Sequence, residues 1–134
     1  MTRGETMATL MAVLKRQAGE RLIPRVKVWL ECEGEFVFGL GICEILQAVE
    51  RSGSIKQAAR DVGQSYRHVW DRIKEAERAR GRPLVESHIG GKDTRRTRLT
   101  EDARRLVKGF LRLRQRMLKL LDREFSREFP SRSN

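Results

Sequence analysis

The chain lacks any hydrophobic run long enough to cross a membrane. Its longest stretch without a charged residue covers residues 6–14, whereas a transmembrane helix needs about 20 mostly apolar residues. Lys15 and Arg16 end this stretch, and no small-residue cleavage site follows, so a secretory signal is not expected. We therefore expect a cytoplasmic protein that makes no membrane contact.

Cysteine and histidine are scarce, with two residues of each in the 134-residue chain. Cys32 and Cys43 lie in apolar contexts, so we expect them to pack in the core, in a reducing compartment, rather than to react. His68 and His88 have no partners at the spacing of a metal site. The chain also lacks a Gly-rich phosphate loop and a nucleophile with a matched base, so neither an enzyme nor a cofactor is expected.

Acidic residues are in the minority. The chain has 18 Asp and Glu against 29 Lys and Arg, which gives a formal net charge of +11. This excess favours a polyanionic partner, either a nucleic acid or an anionic membrane surface. The alternative is a basic surface that only keeps the protein in solution, and the motifs of the chain decide between these readings.

Residues 53–81 are predicted to form two helices joined by a tight turn. Ser54 and Gln57 match a capping box at the start of the first helix. Gly63 can end that helix, and Ser65 can cap the second. Apolar residues recur at helical spacing in both helices: Ile55, Ala58, Ala59 and Val62, then Tyr66, Val69, Trp70, Ile73 and Ala76. This pattern is typical of a helix-turn-helix, whose second helix enters the DNA major groove.

The elements on either side are predicted from periodicity. Residues 5–18 should form a helix that packs on another part of the protein or on a partner subunit. Strands over residues 26–31 and 36–38 should form a hairpin, and residues 40–51 a helix. A strand over residues 84–89, a turn over 90–96 and a second strand over 97–99 should form a basic-tipped hairpin, which is a wing because it directly follows the second helix of the unit.

Thr100 caps a long last helix, in which apolar residues alternate at spacings of three and four. One domain's core would hardly cover so wide an apolar face, so we expect a homodimer that pairs through this helix. The alternative is a helix that lies along its own domain. Beside Ala103 in this seam, the expected dimer-interface residues are Leu106, Phe110, Leu113, Met117 and Leu120.

The chain thus divides into an N-terminal helix and linker (1–25), a winged helix-turn-helix (26–99), a dimerisation helix (100–129) and a disordered tail (130–134). The segments LGICEILQAVERSGSIKQAARDVGQSYRHVWDRI, GRPLVES and GGK, and the Leu99–Thr100 pair, resemble the DNA-binding domain of ModE-type molybdate-responsive transcriptional regulators. That domain is similar to the winged helix of LysR-type regulators. The resemblance covers residues 26–125 and implies a mainly α fold with small β hairpins, and a sequence-specific regulator that binds double-stranded DNA as a dimer.

The resemblance also implies which residues read DNA. In the two helices these are Ser54, Gln57, Gln64, Ser65, Tyr66, Arg67 and His68. On its residue type and position, Arg67 is the first candidate for a bidentate contact with guanine, and an ion pair with Asp71 is the alternative. Further candidates for DNA contacts are Arg72, Lys92, Arg95 and Arg96, with the last two at the tip of the wing. Trp70 shares the apolar stripe, so we expect it in the core.

Family members with a molybdate sensor carry it after the DNA-binding domain. Because the sequence ends at Asn134, we expect no response to molybdate. Two other classes remain open from the residues alone. The winged helix could hold a partner protein, or it could package nucleic acid without regard to sequence.

Overall fold

The computed structural model describes residues 7–11, 21–90 and 94–131 of the chain. In chain order the elements are α1 (residues 7–11), β1 (Trp29–Cys32), β2 (Glu35–Gly39), α2 (Leu40–Ser52), α3 (Ile55–Val62), α4 (Tyr66–Arg80), β3 (Val85–Gly90), β4 (Thr94–Leu99) and α5 (Glu101–Glu128). The predicted fold class is confirmed, because α3 and α4 form the two-helix unit, β3 and β4 form the wing, and a long helix follows. No helix in these ranges is both long and apolar enough to span a membrane.

The helix predicted over residues 5–18 is described only over residues 7–11, which form α1, and the remainder falls outside the described ranges. In α1 the side chains of Met7, Leu10 and Met11 are 57%, 48% and 50% exposed. Because half of each apolar side chain still faces solvent, the core of this chain does not cover this face of α1.

Hydroxyl caps start three of the helices, as the sequence predicts. In each case the side-chain oxygen accepts a backbone N–H three residues on at 3.1 Å: Ser54 from Gln57, Ser65 from His68 and Thr100 from Ala103. Gly63 ends α3 and Gly81 ends α4, both in the left-handed conformation that glycine adopts without strain. These local signals fix the turn between α3 and α4.

The second half of the predicted capping box at α3 is wrong. The side chain of Gln57 donates to Asp61 Oδ1 at 2.9 Å, one turn further along the helix. The backbone N–H of Ser54 instead donates to Ser52 Oγ at 3.3 Å. Both donors are satisfied, so the i, i+4 pair within the helix has replaced the reciprocal bond of the box.

In the N-terminal hairpin the first strand is shorter than predicted and the second is longer, since they cover Trp29–Cys32 and Glu35–Gly39. They pair from Trp29↔Gly39 to Cys32↔Glu35, with a register shift between Leu30 and Glu31. Glu33 and Gly34 form the turn, and both have positive φ values, of 52° and 83°.

The wing hairpin is longer than predicted. Backbone pairing of β3 with β4 runs from Val85↔Leu99 to Gly90↔Thr94, so Arg95 and Arg96 belong to a strand and not to a turn. The predicted turn over 90–96 was too long because ladder hydrogen bonds use the backbone, and consecutive charged residues can join them.

The core lies between α2, the two-helix unit, β2 and the first three turns of α5. Its largest fully buried side chains include Phe38 and Phe110, whose rings meet edge to face with centroids 5.2 Å apart. Phe110 is 2% exposed, so its assignment to a dimer interface is wrong: it faces the hairpin of its own domain. Leu106 packs partly against the same core.

The two cysteines occupy different environments. Cys43 is buried on α2, and its burial raises the pKa of its thiol to about 11. Cys32 is exposed at the end of β1, so the prediction that both thiols pack in the core is wrong for this residue. Cys32 lies between Glu31 and Glu33 and follows a register shift between Leu30 and Glu31, so the alternation that turns Leu30 toward the core does not continue to it.

Candidate nucleic-acid interface

The first turn of α4 is presented to solvent. The buried side of this helix consists of Val69, Ile73 and Ala76. The predicted DNA-reading positions at and before its first turn are all exposed, namely Gln64, Ser65, Tyr66, Arg67 and His68. The side chain of Arg67 is 86% exposed, and its Nε lies 3.5 Å from Asp71 Oδ2. Exposed ion pairs at i, i+4 contribute only about 0.3–0.5 kcal/mol. The guanidinium of Arg67 can therefore exchange Asp71 for another acceptor at little cost.

A cleft of about 410 Å³ separates α4 from the wing and reaches the start of α3. Lys56, Lys74 and Arg95 bring positive charge to it, and Ser54 and Tyr66 line it too. The cleft therefore brings together three of the predicted DNA-binding residues, Ser54, Tyr66 and Arg95, from three separate elements.

Trp70 lines the same cleft and is not in the core. Its side chain is 36% exposed, and its ring lies nearly parallel to that of Tyr66, at 20° with centroids 6.4 Å apart. The ammonium of Lys74 sits 4.5 Å from its ring centroid. The core prediction for Trp70 is wrong because the buried stripe of α4 is narrow: a residue one position after Val69 points about 100° away from it.

The remaining predicted site residues lie elsewhere. The guanidinium of Arg72 sits over the ring of Phe36, 5.9 Å from its centroid, and lines a different groove beside the N-terminal hairpin. Gln64 lines a groove with Asp61. The side chain of Gln57 is exposed and bonded within α3. Lys92 lies outside the described residues.

Arg96 lies against the corner between α2 and α3. A Cβ atom added to Gly53 would come within 2.7 Å of Arg96 Nε, and the φ of Gly53 is 73°. The backbone N–H of Thr97 donates to the carbonyl oxygen of Gly53 at 2.9 Å. A glycine at this corner therefore permits the close approach of β4 and its arginine side chain.

Three carboxylates hold the base of the wing, and sequence reasoning missed all of them. The first is Glu77 of α4, whose Oε2 accepts the backbone N–H of Leu84 at 2.7 Å and lies 3.4 Å from that of Val85. Its Oε1 is 3.1 Å from Lys74 Nζ. Glu77 follows the buried Ile73 by four residues, so its place on the inner face of α4 was the signal that could have identified it.

The second carboxylate is Glu50 of α2. Its Oε2 accepts the backbone N–H of Leu99 at 2.9 Å, and its Oε1 accepts Arg104 Nε at 3.1 Å. The bond from Leu99, helped by Arg104, holds the pKa of Glu50 below its ordinary value. Glu50 thus ties α2 to the end of β4 and to α5.

The third carboxylate is Asp102 in the first turn of α5. Arg80 lies 2.7 Å from its Oδ2 and Arg82 lies 3.2 Å from its Oδ1. Both guanidinium groups, Arg80 first, lower the pKa of Asp102. This pair of contacts joins the end of α4 to the start of α5.

The fold and the exposed face of α4 define a winged helix-turn-helix. Residues 41–104 match the family described as bacterial regulatory helix-turn-helix protein, lysR family. The chain is also 39% identical over 66 residues to the molybdenum-pterin-binding protein MopA of Rhodobacter capsulatus, a match that covers 49% of this chain and 25% of MopA. It is 37% identical over 78 residues to the DNA-binding transcriptional dual regulator ModE of Escherichia coli K12, covering 58% of this chain and 30% of ModE.

These matches confirm the resemblance to the DNA-binding domain of ModE-type regulators. The chain spans only about a quarter to a third of the length of these relatives, so the molybdenum chemistry in their names is not carried over to it. Among solved structures, ArgP from Mycobacterium tuberculosis is 23% identical with a TM-score of 0.46, covering 62% of this chain and 29% of ArgP. That likeness adds nothing to the functional argument.

Proposed function

We propose that this chain is a sequence-specific, DNA-binding transcriptional regulator that acts as a cytoplasmic homodimer and not as an enzyme. The observation that carries the proposal is the solvent-facing first turn of α4, where the side chain of Arg67 is 86% exposed. This turn lies within the segment that matches the regulatory helix-turn-helix family. The formal charge of +11 supports a polyanionic partner.

Different residues make the base contacts and the phosphate contacts in this proposal. Arg67 reads a base edge in the major groove, where a guanidinium can bond bidentately to guanine. Lys74 and Arg95, on either side of the cleft, contact phosphates, which position the duplex without reading its sequence. Arg72 is held on Phe36 in the free protein, so its contact with a phosphate needs that cation–π pair to open.

Dimerisation through the outer half of α5 is part of the same proposal. Leu113 is 40% exposed, Met117 and Leu120 are half-buried, and none of the three packs against the core that the described residues form. An apolar seam of this kind is covered economically by the same helix of a second copy. Two copies would then present two recognition helices to the half-sites of a palindrome.

The proposal is tested by selecting bound duplexes from a random library and then measuring the affinity for the enriched duplexes at several salt concentrations. A regulator should enrich one palindromic sequence, and its affinity should fall steeply with salt. Steep salt dependence without enrichment would indicate packaging of nucleic acid instead. Absence of binding at moderate salt would indicate a protein-interaction domain.

A further inference from the structure

The ring of Trp70 has one neighbour in each direction along α4. Tyr66 stands one turn before it and Lys74 one turn after it, with the Tyr66 centroid at 6.4 Å and the Lys74 ammonium at 4.5 Å. Side chains four residues before and after Trp70 lie on opposite sides of it along the helix. These two neighbours occupy space that a stacked nucleobase would need. Trp70 is nevertheless 36% exposed and lines the cleft, so a ligand in the cleft can reach it.

The indole N–H of Trp70 is a donor only, and an indole N–H commonly finds an acceptor. The other tryptophan shows this, because Trp29 Nε1 donates to Glu31 Oε2 at 2.8 Å. Among the residues that the structure describes, the N–H of Trp70 has no such acceptor. The donor is left for a ligand in the cleft.

The charge of the cleft indicates which kind of ligand it can bind. Lys56, Lys74 and Arg95 line it, and Glu86 contributes a carboxylate. That carboxylate is neutralised by Arg98, whose Nε lies 3.1 Å from Glu86 Oε1. A positively charged cleft that also offers an unused N–H donor favours an anion with several acceptor oxygens, as in a phosphate group.

We propose that the cleft between α4 and the wing holds one strand of the DNA sugar–phosphate backbone, with the indole N–H of Trp70 donating to a phosphate oxygen. This inference rests on the proposed DNA-binding function and assigns a new contact residue to it. Lys74 has two roles here, since its ammonium lies against the ring and, by sharing its ion pair with Glu77, places charge beside the same phosphate.

The salt dependence of binding distinguishes the two residues. Each Lys or Arg that neutralises a phosphate adds about 0.9 to the slope of log affinity against log salt. The indole is a neutral donor and releases no counterion. Loss of its hydrogen bond should therefore weaken binding without changing the slope, whereas loss of the Lys74 charge should change both.

The experiment compares Trp70→Phe, Lys74→Gln and the control Trp29→Phe, which changes a tryptophan outside the cleft. Binding to a selected duplex and to a random duplex is followed by fluorescence anisotropy over a range of salt. Trp70→Phe should bind both duplexes at least about tenfold more weakly with an unchanged slope, since a hydrogen bond to a charged group is lost and a tenfold change in affinity is about 1.4 kcal/mol. Lys74→Gln should lower the slope by about 0.9. Trp29→Phe should bind like the wild type.

A second measurement avoids any change at Trp70. In Trp29→Phe the only fluorophore of this type is Trp70, whose quenching by acrylamide reports its exposure. Duplex DNA should protect Trp70, and inorganic phosphate at the same ionic strength should not. Protection by inorganic phosphate alone would show a free-anion pocket and overturn the inference.

The remaining outcomes separate this inference from the function on which it rests. If the wild type binds duplex DNA while Trp70 stays unprotected and Trp70→Phe keeps full affinity, the inference is wrong and the proposed function stands. A loss confined to one DNA sequence would also overturn it, since a phosphate contact weakens all sequences alike. If the wild type binds no duplex, both fall together.

Discussion

The carboxylate of Glu77 accepts a 2.7 Å hydrogen bond from the backbone N–H of Leu84, the residue that begins the wing. Leu84 is fully buried, and Glu77 supplies the acceptor for its backbone N–H. The position of the wing relative to α4 thus depends on one side chain of α4.

Replacing Glu77 tests that dependence. Glu77→Ala leaves a buried N–H unpaired and should lower the free energy of unfolding by about 1–3 kcal/mol. Glu77→Gln keeps an acceptor oxygen and should lose clearly less. Urea unfolding followed by circular dichroism measures both. Equal losses in the two variants would show that the contact with Leu84 is not what matters.

Stability should fall in acid. The pKa of Glu50 is lowered by the bond from Leu99, and that of Asp102 by the bond from Arg80. A carboxyl with a lowered folded-state pKa contributes stability that is fully present above its ordinary pKa and lost as the pH falls through the folded value. The ordinary values are 4.5 for Glu50 and 3.8 for Asp102. The Tm should therefore begin to fall as the pH drops past these values.

Variants Glu50→Gln and Asp102→Asn provide the comparison. Each should have a lower Tm than the wild type at neutral pH and a shallower decline in acid, because one titrating contact is gone. Thermal melts from about pH 7 to about pH 3 measure this difference. Parallel curves for wild type and variants would contradict the assigned contacts.

Substitution of Arg67 and of Arg95 should have different effects on DNA binding. Arg67→Ala should relax the preference at one base of each half-site, at a cost of about 1–3 kcal/mol on the preferred sequence. Arg95→Ala should weaken selected and random duplexes alike and reduce the salt slope by about 0.9. Binding selections with both variants decide the matter. If Arg95→Ala loses the preference and Arg67→Ala keeps it, the wing reads the sequence.

The dimer prediction is best tested at Leu113 and not at Phe110. Leu113→Asp puts a charge on the exposed seam and should give a folded monomer, since burying that charge in an interface is costly. Phe110→Ala removes a buried ring that packs on Phe38 and should cost about 3–5 kcal/mol of domain stability. Sedimentation and thermal melts separate the two effects. A wild type that sediments as a monomer at micromolar concentration would refute the dimer.

The two thiols should differ in reactivity. Cys43 is buried and its pKa is raised to about 11, so it stays protonated at neutral pH. Cys32 is exposed and open to a thiol reagent. The folded protein should release one equivalent of chromophore from such a reagent and a second one only in denaturant, and Cys32→Ser should abolish the first. Rapid reaction of both thiols in the folded state would indicate that α2 opens.

Sequence reasoning succeeded where the signal is local. Ser54, Ser65 and Thr100 cap helices, and Gly63 ends one, because each acts within a few residues along the chain. It failed where the hydrogen-bond partner is distant in sequence. Glu50 and Leu99 are 49 residues apart, and no local pattern around either residue predicts their hydrogen bond. The sequence also did not predict how wide the buried face of α4 is, because that width depends on which elements pack against the helix.

The wrong prediction for Phe110 has a similar cause. A heptad pattern shows that one face of a helix is apolar, but it does not show whether the chain's own domain or a second copy covers that face. The near half of α5 is covered by its own domain, whereas Leu113, further along the helix, is 40% exposed. The near half therefore matches the alternative of a helix that lies along its own domain, and the outer half is the part left for the proposed dimer.

The carboxylates at the base of the wing also shape the electric field of the molecule. Glu50, Glu77 and Asp102 are each compensated by a neighbouring cation, namely Arg104, Lys74 and Arg80. Their negative charge is thus neutralised within the scaffold. Lys56, Arg67 and Arg95 belong to none of these three pairs and are exposed around the cleft and the first turn of α4. Positive charge placed there attracts an approaching polyanion and raises the rate of productive encounters.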